Sequence, residues 1–142
     1  MTGFLTVYMQ NKILAAYLNA VAPNFPSTVY IGLATSIDQA TGAVTGEPTI
    51  GTNAYARVSL NTGNTTIFAT PSAGASHNVV EIRFPTATNT GWTGTLTKWF
   101  ISDASTAGNT LMFGTLGYSL VIGAHEAPVI PVSTMTLDGS GW

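Results

Sequence analysis

After Pro26 the hydrophobic pattern of this chain changes period from 3.6 to 2, and that change constrains its fold more than any other feature. Before it, residues 6–21 place Met9, Ile13, Leu14, Tyr17, Leu18 and Val21 at helical spacing. This predicts an amphipathic helix that packs along one stripe, with polar, nearly uncharged Gln10, Asn11 and Asn19 opposite, and with Pro23 and Pro26 ending it. After it, residues 27–35 set Val29, Ile31 and Leu33 on one face of a half-buried strand and Thr28, Tyr30 and Gly32 on the other. Residues 36–53 then read as a long loop rich in Thr, Gly and Ala and without a period, the kind of loop that is usually functional or mobile.

Strand signals recur at short spacing over residues 55–60, 66–69, 77–84, 96–102, 111–116, 118–122 and 132–137. Turn clusters such as Asn61-Thr62-Gly63-Asn64, Pro71-Ser72-Ala73-Gly74 and Thr88-Asn89-Thr90-Gly91 separate them. In one run Val80, Ile82 and Phe84 alternate with Glu81 and Arg83, which marks its wet side. Seven or eight short strands with turns this regular predict a mainly β chain, an antiparallel sandwich or jelly roll with an N-terminal helix. Residues 1–142 form one domain in this reading, with an arm and helix over 1–26 and the sandwich over 27–142.

Charge narrows the partners. At an average of about 25% charged residues a chain this long would carry roughly 35 charges; it carries four Lys+Arg and six Asp+Glu. Thr alone is about one residue in six. Lys12, Arg57, Arg83 and Lys98 stand singly and form no basic stripe, so no nucleic-acid partner is expected. Low net charge with 45% apolar residues is the reverse of a disordered composition. Residues 4–22 are fairly apolar, but Asn11 and Lys12 interrupt them and no cation precedes them, which argues against a signal peptide, a transmembrane helix and a membrane partner.

Without Cys there is no disulfide, thiolate metal site or thiol chemistry. The groups able to act as acid, base or ligand are His77, His125, Asp38, Glu47, Glu81, Asp103, Glu126 and Asp138. No His-x-His or His-x-x-x-His pair offers a metal site and no Gly-x-Ser-x-Gly elbow offers a nucleophile. Asp103, beside Trp99 and Phe100, would suit a sugar platform, but a turn-capping role fits its sequence more simply. No catalytic residue, cofactor or metal is therefore expected. Trp99, Phe100 and Phe113 fit a core; Trp142 fits an interface better. A neutral, Thr-rich exterior suits a subunit covered by others. The candidate interface residues are Phe4, Leu5 and Tyr8 of the arm, Ile37, Val44 and Ile50 of the long loop, and Trp142.

The order of segments resembles a family of small structural proteins of tailed bacteriophages, described as capsid cement (decoration) or tail-fibre-like proteins. The resemblance is carried by NKILAAYLNA, TVYIGLATS, NAYARVSL, VEIRFPTATNTGWTGTLTKWFISDA, GNTLMFGTL and TMTLDG, with Tyr55-Ala56-Arg57-Val58 and Phe100-Ile101-Ser102-Asp103-Ala104 the most specific. It implies copies on the outer face of the virion head, as homotrimers clamping the major capsid protein after synthesis in the host cytoplasm. Such a ligand stabilises the lattice it binds by mass action. A tail, collar or fibre-adaptor subunit contacting a host glycan is the alternative, with a glycan-active enzyme and a free lectin-like module behind it.

Overall fold

A computed structural model of the chain describes residues 1–61 and 67–139. It is mainly β, with one N-terminal helix and a curled sheet in a single small domain. The described elements are β1 (Thr2–Leu5), α1 (Val7–Leu18), β2 (Thr28–Ala34), β3 (Ser36–Ile37), β4 (Val44–Thr45), β5 (Val58–Asn61), β6 (Ala75–His77), β7 (Ile82–Arg83), β8 (Leu96–Ser102), β9 (Thr110–Leu120), β10 (Val129–Ile130) and β11 (Thr136–Asp138). Seven strands make the main sheet in the order β5-β2-β8-β9-β1-β11-β6, and β7-β10 and β3-β4 are separate ribbons.

The centre of the sheet is built as the alternation predicts. β2 runs antiparallel to β8 with Ile31 opposite Ile101 and Leu33 opposite Trp99, so the apolar positions of both strands share one face. That face carries Val29, Ile31, Leu33, Leu60, Trp99 and Ile101, all buried. The layer over it is thin: Ile82 and Ile130, paired across the β7-β10 ribbon, with Phe84, Ala87, Trp92, Ile122 and Met135 from the connecting loops. Trp92 meets Tyr55 edge-on at 4.9 Å and donates its indole N–H to the Asn53 carbonyl at 3.1 Å. Trp99 has no space to spare. Gly3 lies opposite Gly114, and Gly114 opposite Trp99, and a Cβ on either glycine would run into the indole.

Several expectations change in three dimensions. The start of the arm, residues 1–8, is β1 followed by the first residues of α1. β1 lies inside the sheet, antiparallel to β9 with Phe4 opposite Phe113 and parallel to β11 with Thr2 opposite Thr136. Four residues are too few to announce a strand by period, and β1 forms because distant strands supply its hydrogen bonds. The long loop contains a hairpin in which β3 and β4 pair Ile37 with Val44. Asp38 closes its turn, accepting hydrogen bonds from the Ala40 and Thr41 amides at 2.8 and 2.9 Å.

The run 77–84 is two strands rather than one, broken at buried Asn78. The Asn78 side chain donates to the Val80 and Pro131 carbonyls and accepts from the Met135 amide, and these bonds bend the chain out of the sheet. Runs 111–116 and 118–122 join into β9 because Gly117 continues the strand. In the run 66–69, Thr66 lies outside the described residues and Phe68 makes a single bridge to Asn78. β5 starts at Val58 and β11 at Thr136, later than the sequence suggests.

Candidate interaction surface

α1 is fastened firmly at one end. Thr6, fully buried, accepts from the Met9 amide at 3.3 Å as N-cap and donates its hydroxyl to the Thr110 carbonyl at 2.6 Å. Its own amide donates to the Leu111 carbonyl at 3.0 Å, so the cap also ties the helix start to β9. Tyr8 and Met9 pack against the core from this first turn.

No residue of α1 is fully buried, but Met9, Ile13 and Ala16 keep one side half-buried while the opposite side is open. Leu14, Tyr17 and Leu18 are 46%, 89% and 73% exposed, and at spacings of three and four residues they share one face. Val21 and Phe25, 56% and 46% exposed, follow in the segment after the helix. Lys12 holds that segment back along α1, donating to the Asn24 carbonyl at 3.1 Å while lying over the Tyr8 ring at 5.3 Å. A large apolar face is thus presented to the outside by a well-capped helix, and exposed apolar patches of this kind mark sites of interaction.

Near the start of α1 lies a buried polar cluster. Arg57 forms a bidentate pair with Glu47, Nε to Oε1 and Nη2 to Oε2 both at 2.8 Å, and Nη1 donates to the Ala104 and Ala107 carbonyls at 2.8 Å. The Arg57 and Glu47 side chains are only 4% and 16% exposed. The guanidinium also stacks on Phe100 at 4.9 Å, and Phe100 lies over Gly32, where a Cβ would not fit. Tyr55 donates to Glu47 Oε1 at 3.0 Å and accepts from the Leu33 amide at 3.1 Å; burial raises its phenol far above the ordinary value. The two most specific sequence motifs therefore meet in one network, which spacing alone does not reveal.

The seven candidate interface residues scatter. Phe4 is exposed, Leu5 is buried in β1, and Ile37 and Ile50 are half-buried. Tyr8 and Val44 come together, with Glu47, Arg57 and Asn109, around a polar cleft of about 400 Å³. Trp142 lies outside the described residues. The larger surface at Tyr17, Leu18, Val21 and Phe25 was visible in sequence only as a helical pattern, since a pattern does not say what covers it.

The titratable groups serve their own loops. Asp103 accepts from the Asn109 amide and side chain at 2.7 and 2.9 Å, bracing the turn between β8 and β9. Glu126 accepts from the Gly123 amide at 2.6 Å. The Asp38 carboxyl is held below its ordinary value, chiefly by the Thr41 amide and then by the Thr41 side chain. His77 and His125 are exposed on β6 and on the loop after β9. Among the described residues no group of three His, Asp or Glu could hold a metal ion.

A small curled sheet presenting a capped but uncovered apolar helix has the form of a structural domain. The chain belongs to the family described as podophage GP4 fiber I protein gp80, whose model matches residues 5–138. It is accordingly a structural protein of the phage virion. No curated protein matches the chain.

Proposed function

We propose that the chain is a structural subunit of the podophage tail and its fibres, acting by attachment to other virion proteins and not by catalysis. The exposed face of α1 carries this reading. Three large apolar side chains on α1 and two more in the segment after it are costly to leave in water and gain by burial against protein. The family description, which names a fiber, directs the reading to the tail. Asp103 and Glu126 are committed to turns, so an assay against glycans with Asp103→Asn and Glu126→Gln is expected to reveal no activity to lose. No nucleic acid or membrane is among the proposed partners; the four cations are dispersed, and no described helix is long and apolar enough to cross a bilayer.

A second reading, capsid cement bound to the major capsid protein, draws support from the scarcity of surface charge, which suits a face lying on a lattice. Quantifying copies per particle, with immunogold labelling, separates the two. A few tens of copies or fewer, labelled at the tail, support the fibre reading. Hundreds of copies over the head would replace it with the cement reading, and heads lacking the protein should then rupture at lower temperature.

A further inference from the structure

We infer that the exposed face of α1 is an interface between copies of this chain, helix against helix, in a small closed homo-oligomer. The inference rests on the reading of the chain as a virion building block and adds which surface joins it and to what.

Three observations select a second copy as the occupant. The first is spacing: Leu14, Tyr17 and Leu18 stand at i, i+3 and i+4 in the last turns of α1, one repeat of the seam by which helices pack lengthwise on one another, and Val21 is exposed just beyond the helix end. An identical helix offers the complementary knobs and holes at the same spacing.

The second is charge. α1 carries a single charged residue, Lys12, and that ammonium is turned onto the Asn24 carbonyl and the Tyr8 ring. Two copies therefore meet with no like charges opposed and no ion to desolvate. A charged partner would gain nothing from this face.

The third is area. Taking about 150–250 Å² for an aromatic side chain and about 100 Å² for Leu or Val, the exposures of Leu14, Tyr17, Leu18, Val21 and Phe25 amount to roughly 450 Å² of apolar surface per copy. That is the size of the largest patch on a soluble monomer, about 300–600 Å². Two such faces together bury on the order of 900 Å², the size of a weak, concentration-dependent contact.

The geometry leaves the face accessible. α1 is anchored through Thr6 and its first turn, and Leu14, Tyr17 and Leu18 lie exposed on its later turns. Closure of the oligomer follows if the partner uses the same face, because an isologous contact saturates itself.

The test is the oligomeric state of the full-length chain by analytical ultracentrifugation over a wide concentration range, alone and as Tyr17→Glu/Leu18→Glu. Both side chains are exposed, so the double variant keeps its far-ultraviolet circular dichroism and cooperative melting. The expected result is a concentration-dependent oligomer for the parent and a monomer for the variant. Because the chain has no Cys, Leu18→Cys adds a second readout: copies should cross-link through it on oxidation, and Val132→Cys on another surface should not. A parent that stays monomeric to millimolar concentration overturns the inference and points to a different virion protein as occupant. An oligomer unaffected by the double variant, with no Leu18→Cys cross-link, overturns it as well. Either failure leaves the tail location standing, since that is decided by copy number and labelling.

Discussion

Arg57 shows how one side chain can set the position of three segments. Its planar fork matches the Glu47 carboxylate from β4's side, its remaining amino group reaches two carbonyls of the β8-β9 turn, and its face covers Phe100. Lys has neither the fork nor the flat face. Arg57→Ala should lower unfolding free energy in urea by about 3 kcal/mol, because it leaves Glu47 nearly buried without its partner. Arg57→Lys should recover less than half of that loss. Trp99 makes a different demand, for empty space: with Gly114 beneath the indole, Gly114→Ala forces the ring to move and should cost about 3 kcal/mol, seen as a drop in melting temperature. An unchanged melting temperature would mean the sheet yields at that point.

At the level of elements, β1 and α1 divide the work of the N-terminal segment. β1 fills the gap between β9 and β11, and removing it would expose the backbone edges of both. Deleting residues 1–5 should therefore abolish the cooperative melting transition and send the chain to the insoluble fraction. A detachable arm would instead leave melting unchanged. α1 contributes little to the core and is held chiefly by its Thr6 cap, so substitutions at Tyr17 or Leu18 should leave stability within about 0.5 kcal/mol. The same two elements were adjacent in sequence and looked like one appendage. Their roles differ because β1 finds hydrogen-bond partners more than a hundred residues away and α1 finds none for its outer face.

For the whole molecule, the scarcity of charge takes on a specific form. All ten charged side chains engage partners within the chain: two ion pairs, loop-bracing carboxylates, and lysines on Asn24 and Thr115. Over an accessible surface of 7286 Å² the exterior is left to Thr, Ser, Asn and apolar groups. Association through α1 should then depend little on ionic strength, because no exposed charges are there to be screened. Sulfate should strengthen it, by favouring apolar burial. Sedimentation equilibrium in low salt, in moderate sodium chloride and in sulfate measures both effects, and a steep weakening by sodium chloride would place charged groups in the contact.

How much of this was legible beforehand follows from the range of the forces involved. The helix over 7–18, the strands β2 and β8 and most of β9 were readable because alternation and helical spacing are written within a few consecutive residues. So was the wet side of the β7 run, where Glu81 and Arg83 pair at 2.7 Å. β1 was hidden, since four residues carry no period, and so was the break at Asn78, which depends on the Pro131 carbonyl and the Met135 amide of the loop before β11. The joining of Arg57 to Phe100 and Glu47 is likewise a product of strand order. Amphipathicity is a local property that the amino-acid order settles; which apolar face is covered depends on how the remaining chain packs. Here the packing covers Trp99 on every side and leaves Tyr17 bare.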